Sequence, residues 1–228
     1  MLGYVGIACR ENVQIEGFWF YLFSGVFAGA TLHYFIAKIA GPFVFGRGWC
    51  GWACWTAMFL DLLPWKEPKR RLSEGWMRLR YLHFALVLAA ALLAFYLLGD
   101  GEAAGESRAA LLWLLVGNLA YYATGIALAA ALGDNRAFCK YLCPIAVFMK
   151  VGARFSLMKI KIDAGKCTDC KLCERSCPMQ VPIAEYKARA QRVLSTECIF
   201  CTTCVSVCPT RAIGASFGID RPPRRSGS

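Results

Sequence analysis

Residues 167–209 contain two cysteine runs with the same spacing, CTDCKLCERSCP at 167–178 and CIFCTTCVSVCP at 198–209. Each run reads C-x2-C-x2-C-x3-C-P, a spacing that binds pairs of 4Fe-4S clusters. Three thiolates of a run wrap one cubane, while the fourth points towards the other cluster, so the fourth ligand crosses over between the runs. The first cluster is assigned Cys167, Cys170, Cys173 and Cys208. The second is assigned Cys198, Cys201, Cys204 and Cys177.

Zinc and disulfides are the alternative uses of eight cysteines. Zinc sites use two separated C-x2-C pairs, and disulfide frameworks belong to small secreted domains. Neither predicts a doubled run of four cysteines followed by proline. The flanking segments, MKIKID at 158–163 and RAIGASFGI at 211–219, alternate as short strands do. Together they predict a compact α+β unit of βαββαβ order, the two-cluster ferredoxin domain.

The composition is too apolar for an ordinary soluble protein, because 57% of the 228 residues are hydrophobic. A formal net charge of +11 raises the question of nucleic acid as a partner. The basic residues, however, cluster beside long apolar segments, which indicates membrane topology and anionic lipid head groups instead. The 13 cysteines at motif spacings indicate metal thiolates on a reducing face. We therefore expect a membrane protein with lipid contacts and no nucleic-acid partner.

Three uncharged stretches are long enough to cross a bilayer, which takes about 20 apolar residues. They are residues 17–37, 81–98 and 109–132. Residues 66–80, in the loop between the first two stretches, include six basic and two acidic residues, and the loop between the last two is acidic at 100–106. By the positive-inside rule, the N-terminus lies outside and the C-terminal domain lies in the cytoplasm.

The chain is therefore predicted to have three parts. Residues 1–157 form a helical membrane region with about three transmembrane helices, and residues 158–220 form the two-cluster ferredoxin domain. Residues 221–228 form a disordered tail. The predicted location is the bacterial inner membrane, which the chain crosses several times.

Two cysteine pairs stand outside the ferredoxin runs, and each has the spacing C-x3-C. They are Cys50 with Cys54 and Cys139 with Cys143, and an arginine stands three residues before each pair. Within a helix an i,i+4 spacing places both sulfurs on one face. Four thiolates are the ligand number of a cluster or of a tetrahedral metal, and both pairs follow a predicted span on the cytoplasmic side. The pairs are therefore expected to converge on a third iron–sulfur cluster; another metal, a redox dithiol and two unconnected pairs are the alternatives.

These motifs resemble a known family. GRGWCGWAC at 46–54 and RAFCKYLCP at 136–144 are similar to the paired CX3CP motifs of NapH/NosR-type membrane polyferredoxins, and the lead-in RFSLMKIKID at 154–163 is similar as well. The resemblance covers residues 17–209. It implies an iron–sulfur protein of a membrane redox system, since the family includes a quinol-dehydrogenase subunit of periplasmic nitrate reductase and maturation proteins for other respiratory enzymes.

Two features differ from the family pattern. Trp55 replaces the proline that normally follows the first pair, so the first pair is predicted to be free to continue into a helix. Pro144, in contrast, forces Cys143 into an extended or turn conformation. The three predicted spans also differ from the four of the nitrate-reductase members.

The remaining polar candidates are few. His33 and His83 allow at most one bis-histidine haem, and their predicted depths in the membrane differ by several turns, so packing or a hydrogen bond to quinone is the better interpretation. The sequence has no Walker motif, Rossmann fingerprint or nucleophile triad. Any chemistry is therefore expected to come from redox centres.

The leading hypothesis is a quinol dehydrogenase-like electron-transfer subunit. It would relay electrons between the quinone pool, or a membrane partner, and cytoplasmic clusters of a larger redox complex with other subunits. One alternative is a maturation factor that binds or reduces a metal such as copper for a respiratory enzyme. Another is a scaffold that anchors a soluble oxidoreductase. The predicted outer segments offer only Met1 and Cys9 as soft metal ligands, which favours electron transfer.

Overall fold

A computed structural model describes residues 12–25, 29–66, 72–98 and 107–220. The helices are α1 (Ile15–Phe23), α2 (Gly29–Tyr34), α3 (Gly41–Phe45), α4 (Gly48–Trp52), α5 (Trp55–Leu60), α6 (Leu79–Leu98), α7 (Ser107–Leu132), α8 (Ala137–Tyr141), α9 (Ile145–Arg154), α10 (Leu172–Arg175), α11 (Ile183–Ala188) and α12 (Thr203–Ser206). A π-helical turn (Phe35–Ala40) follows α2, and a 3-10 turn (Glu74–Arg78) precedes α6. The strands are β1 (Met158–Ile162) and β2 (Ile213–Phe217). Cys9, the acidic segment 100–106 and the predicted tail lie outside the described residues.

Two of the described helices are long and apolar enough to cross a membrane, through Gly75–Leu97 and Leu111–Leu132. They coincide with the second and third predicted spans. Little of either helix is buried inside the protein, and a helix that is apolar all round needs an apolar surrounding. The two helices thus indicate a membrane protein.

The first predicted span, 17–37, is not one continuous helix in the described residues. α1 ends at Phe23, and Gly25 follows with φ +68°, a left-handed conformation that glycine adopts without strain. A second, short helix begins at Gly29 and passes into the π-helical turn. Three long spans are therefore not confirmed. The uncharged composition of 17–37 signals burial in an apolar environment but does not reveal a break in the helix.

The ferredoxin segment contains an antiparallel pair of strands rather than the predicted four. β1 and β2 pair with Met158 opposite Phe217 and Ile162 opposite Ile213. Val193, between the two cysteine runs, makes one hydrogen bond of the kind that joins strands: its N–H donates to the carbonyl of Ile160 in β1 at 2.8 Å. The chain around Val193 then continues into the cysteine loop, so no further strand forms among the described residues.

One hydrophobic core joins the helical and ferredoxin parts. Cys50 and Met149 from the helical part pack with Ile160, Ile162 and Ile199 of the ferredoxin part. Burial in one shared core fixes the two parts against each other more firmly than a linker does. The C-x3-C segment is thereby placed beside the ferredoxin cysteines.

Candidate metal centres

The two ferredoxin runs share a backbone conformation at matching positions. Residues with left-handed φ stand on both sides of the second cysteine of each run, Asp169 and Lys171 at +55° in the first and Phe200 and Thr202 at +52° and +60° in the second. Such angles are uncommon outside glycine. Alternating right- and left-handed residues turn successive N–H groups into one concavity, which suits anions and iron–sulfur groups. The local backbone of both runs therefore fits cluster binding.

The cysteine before proline in each run accepts an equivalent backbone hydrogen bond. The Val181 N–H donates to Cys177 Sγ at 3.4 Å, and the Ala212 N–H donates to Cys208 Sγ at 3.3 Å. Slight burial raises the pKa of Cys208, but hydrogen bonds from Thr210 and nearby amides bring that pKa below its ordinary value. Hydrogen bonds to ligand sulfurs also tune the potential of a cluster.

Cys177 lies within electrostatic range of the other run. It interacts with Cys198, Cys201 and Cys204, and these four cysteines line one apolar cavity. Burial raises the pKa of Cys198 to about 11 and of Cys204 to about 12, and the charges of neighbouring cysteines act in the same direction. Thiols in such a place need a cation to stay ionised. This grouping is the one that the crossover predicts for the second cluster, so the donor set fits a 4Fe-4S group.

The first predicted cluster site is more exposed. Cys173 lies within electrostatic range of Cys167, while burial and the charge of Glu174 raise the pKa of Cys173. Cys170 is exposed, and Cys208 is half-buried. The assignment of Cys208 to this site stays a prediction.

The two C-x3-C motifs are built on the same local structure. α4 and α8 are five-residue helices, each begins after an arginine, and each carries the first cysteine of a pair at its third position. The second cysteine follows the end of the helix, and a new helix, α5 or α9, begins one or two residues later. The first cysteines are Cys50 and Cys139, and the second are Cys54 and Cys143.

Two local predictions about these motifs are wrong. The two sulfurs of a pair do not share a helical face, because α4 ends at Trp52 and Cys54 has extended angles of φ −75° and ψ 114°. The first pair also does not continue into a helix in the absence of proline. Trp55 starts the new helix α5 instead. The chain therefore leaves the helical conformation at Cys54 although no proline follows it.

The two pairs lie in one buried region. Cys50 and Cys139 are 8% and 6% exposed. Burial raises the pKa of Cys139 to about 11; the charges of Cys54 and Cys50 act in the same direction, and Arg136 opposes them. Burial and then the charges of the other three cysteines raise the pKa of Cys143. Sequence segments that are far apart thus bring four thiol groups within electrostatic range.

Buried basic side chains surround this set of cysteines. They are Lys38, Arg47, Arg136 and Lys140. Arg136 binds Asp61 at 2.5 Å and the Cys50 carbonyl at 2.9 Å, and Lys140 binds Asp134 at 2.6 Å. The Nε–H groups of Arg47 and Arg136 donate no hydrogen bond to any residue that the structure describes. Unused cationic donors beside four thiols fit an anionic sulfur-ligated cluster.

Within the described ranges, no group of three or more His, Cys, Asp or Glu side chains could hold a metal ion. A 4Fe-4S cluster differs from a single ion because each thiolate binds its own iron.

The first C-x3-C motif contacts the second ferredoxin loop directly. A Cβ atom at Gly51 would stand 2.4 Å from the carbonyl oxygen of Ile199, so only glycine fits there without a shift of backbone. Next to it, the Trp52 Nε1–H donates to the Phe200 carbonyl at 2.8 Å. The two cysteine regions therefore adjoin through main-chain contacts.

Glu197, immediately before Cys198, is held by three basic side chains of the helical part. Its carboxylate oxygens lie 2.8 Å from Arg47, 3.0 Å from Arg80 and 2.7 Å from Lys150. Burial alone would raise its pKa, but the charges of Arg47 and Arg80 and the hydrogen bonds lower the pKa to about 2. Sequence reasoning missed this network, since its members are far apart in the chain. The local sign of this network in the sequence is an acidic residue, Glu197, directly before Cys198.

The histidines have different surroundings. His83 Nδ1 lies 2.7 Å from the carbonyl of Leu142, the residue before Cys143. The His33 ring lies 5.1 Å from the Trp49 ring and lines a cavity beside Cys54. His83 therefore orients the second motif through its backbone, and His33 faces open space near the first.

Family models match both cysteine regions. A 4Fe-4S dicluster domain matches residues 159–209, and a 4Fe-4S binding domain matches residues 27–73 and again residues 111–163. Each match of the second model contains one C-x3-C motif. No solved structure matches the chain at a significant level.

Several curated proteins are similar over most of the chain. An uncharacterized protein of Methanocaldococcus jannaschii is 31% identical over 193 residues, 82% of this chain and 71% of that protein. Ferredoxin-type protein NapH of Haemophilus influenzae is 30% identical over 209 residues, 84% of this chain and 68% of NapH. Putative electron transport protein YccM of Escherichia coli is 24% identical over 208 residues, 85% of this chain but only 57% of YccM.

Proposed function

Because the chain belongs to the NapH/NosR-type family of ferredoxin-type electron transport proteins, we propose that it is a membrane subunit that relays electrons between the quinone pool and clusters on the cytoplasmic side. An iron–sulfur electron-transfer role follows from the family and its 4Fe-4S domains. The quinone partner, the membrane sidedness and a surrounding complex with further subunits belong to the proposal.

The observation that carries the proposal is the contact between the two cysteine regions. Gly51, inside the first C-x3-C motif, touches the backbone at Ile199, inside the second ferredoxin run. A 4Fe-4S cluster supplies one-electron transfer when bound. Short, fixed distances between such clusters favour electron transfer between them. The shared core around Cys50 and Met149 keeps the two cysteine regions in fixed positions.

The ligand assignment is part of the proposal. Eight ferredoxin cysteines hold two clusters with the crossover described above, and four further cysteines, Cys50, Cys54, Cys139 and Cys143, hold a third. Two observations support the third site, namely the grouping of four buried thiols among basic side chains and the two matches of a 4Fe-4S binding model to these segments.

Charge and hydropathy support the proposed membrane arrangement. α6 and α7 cross the inner membrane, and the basic loop before α6 and the ferredoxin domain both face the cytoplasm. The exposed apolar side chains of α6 and α7 contact lipid or other subunits of a redox complex, as expected for surfaces of this kind.

The alternative function, a maturation factor that handles a metal such as copper, is supported less well. A protein that delivers a metal needs ligands that another protein can reach. Cys50 and Cys139 are buried in the protein, and Cys50 is part of the core shared with the ferredoxin segment. Both features suit a resident group better than a transported one.

The test is reduction of the clusters by quinol. The full chain, purified anaerobically with its native partners, should contain about twelve iron atoms if it holds three clusters. A short-chain quinol should bleach the cluster absorbance, or oxidised quinone should restore it. A Cys9→Ser variant is the matched control and should behave like the unchanged protein. Clusters that respond to dithionite but never to quinol or quinone would contradict the relay and favour the maturation or scaffold function.

A further inference from the structure

A cavity of about 360 Å³ lies beside Cys54, between the start of α1, the π-helical turn, α4 and α7. We name it the Cys54 cavity. Its size falls in the usual range of ligand sites. Aromatic and aliphatic groups form part of the wall, and the polar part is formed by Gln14, His33, Lys38, Asn118 and Tyr121.

Gln14 contributes a buried amide group to the wall of the cavity. Its side chain is 6% exposed, and neither Nε2 nor Oε1 has a hydrogen-bond partner among the described residues. The amide is held against α7, where a Cβ atom at Gly117 would stand 2.3 Å from Oε1. Burying an amide without hydrogen-bond partners is unfavourable, because the group loses its bonds to water and gains none in return. A bound ligand with hydroxyl or carbonyl oxygens would supply those partners.

Lys38 contributes a buried cation. It is 5% exposed and makes no ion pair with a residue that the structure describes; its ammonium group lies 4.6 Å from the centre of the Trp49 ring. It is also within electrostatic range of Cys54 and Cys50. The π-helical turn that carries Lys38 is a rare conformation, found frequently at functional sites.

A second, apolar cavity of about 370 Å³ adjoins the first. The two share Trp49 and Ala53, and the second is lined otherwise by side chains such as Ile36, Phe45 and Phe200. A polar cavity that continues into an apolar groove fits a ligand with a small polar ring and a long hydrocarbon tail. Such a ligand would also reach the pair of cavities from the lipid phase.

We propose that the head group of a membrane quinol binds in the Cys54 cavity, with Gln14 and Lys38 hydrogen-bonded to its oxygens and its tail in the adjoining apolar groove. This inference rests on the proposed function and deepens it by locating the quinol site. Cys54 is the nearest of the proposed cluster ligands because it lines the cavity itself. The quinol head group is thus held next to the proposed third cluster.

The same cavity also has a proton acceptor beside it. Oxidation of one quinol to quinone breaks two O–H bonds and releases two protons and two electrons. The electrons pass one at a time to the proposed iron–sulfur centre. The protons follow one at a time, one with each electron, through Tyr121 to Glu16, which passes the first on to water before it takes up the second. The Tyr121 hydroxyl lines the cavity and donates to Glu16 Oε1 at 2.5 Å. Glu16 Oε2 is buried and has no hydrogen-bond partner among the described residues, so this oxygen is the proposed proton acceptor.

The test compares Gln14→Leu and Lys38→Met with the control Lys161→Met, which changes an exposed lysine of β1. In the full chain, both cavity variants should bind a short-chain quinone about tenfold more weakly, since each loses one or two ligand hydrogen bonds. Quenching of tryptophan fluorescence measures this binding. The rate of cluster reduction by quinol should fall in parallel in both variants. Reduction by dithionite and iron content should stay unchanged in Gln14→Leu, because Gln14 is not among the basic side chains around the four cysteines.

Two outcomes separate this inference from the proposed function. If quinol reduces the unchanged protein and both variants equally well, with equal quinone affinity, the location is wrong and the relay stands. If quinol never reduces the clusters of the unchanged protein, the relay fails, and the quinone affinities still decide the location. A photoreactive azidoquinone added to the unchanged protein avoids any folding defect of a variant. It should label segments that line the two cavities, and labelling confined to other segments would overturn the inference.

Discussion

Arg47 donates a hydrogen bond of 2.8 Å to Glu197. The arginine stands three residues before Cys50, and the glutamate stands immediately before Cys198. One buried ion pair therefore joins the starts of the two cysteine motifs that also touch through their backbones. Charged groups in such a network depend on each other, because losing one leaves the others buried without compensation.

Replacing Glu197 by Gln should destabilise the protein strongly. The change leaves the buried guanidinium groups of Arg47 and Arg80 without a counter-charge, which costs about 3–5 kcal/mol. Thermal unfolding in detergent measures the loss. The control is Glu185→Gln, which removes an exposed pair with Arg189 at 3.7 Å and should cost about 0–1 kcal/mol. Equal effects of the two changes would show that the network does not hold the two parts together.

The contribution of Glu197 should depend on pH. Its pKa is about 2 in the folded protein against an ordinary value of 4.5. Because the folded pKa is the lower one, the stabilisation is complete above about pH 4.5. It is lost progressively as the pH falls towards 2. The difference in unfolding temperature between the unchanged protein and Glu197→Gln should therefore be constant from pH 7 to 5 and shrink below that. A difference that grows on acidification would refute this prediction.

Replacing Gly51 by Ala should disturb the contact between the cysteine regions. The added methyl group would overlap the Ile199 carbonyl, and overpacking of this kind costs about 1–3 kcal/mol. Gly214→Ala is the matched control, since a Cβ atom there meets nothing within 4 Å. Thermal unfolding and the magnetic coupling between reduced clusters both report the change. Gly51→Ala with unchanged stability and coupling would mean that the contact is not tight.

Replacing Cys54 and Cys143 by Ser should remove the third metal centre alone. About four iron atoms of about twelve should be lost, and the two ferredoxin clusters should keep their spectra, since their ligands are separate. Iron analysis with electron paramagnetic resonance measures both. Cys9→Ser should change neither. Unchanged iron content and unchanged electron transfer in the double variant would defeat the third site.

The membrane topology predicts opposite accessibility of two loops. A protease site inserted after Gly101 should be cut from outside intact cells, whereas one inserted after Lys69 should be cut only in inverted vesicles. The physical reason is the concentration of basic residues in the loop that contains Lys69. The reverse cutting pattern would place the ferredoxin domain outside.

The local features of the cysteine runs were predictable from the sequence. Cysteines that wrap one cluster need fixed short spacings, and Cys177 lies within electrostatic range of Cys198, while the ligand assignment stays a prediction. The long helices were predictable for the same reason, since an uncharged stretch such as 109–132 has few other uses. What these features share is that neighbouring residues determine them.

Features that depend on distant residues were not predictable. The end of α4 before Cys54 occurs without proline, and nothing in the residues 17–37 indicates that Gly25 takes a left-handed conformation there. The partners of Glu197 lie on three segments that are far apart in the chain, the turn before α4, α6 and α9. Each of these features is set by how segments pack in three dimensions rather than by local propensity.

The contact at Gly51 has a consequence for how the chain can vary. Electron tunnelling slows steeply with distance, and here the separation between two cysteine regions is set by one main chain resting on another. Substitutions of side chains around the site can change redox potentials or ligand affinity. They leave the distance between the two regions almost unchanged, so the driving force of the proposed relay can vary while the contribution of distance to its rate stays fixed.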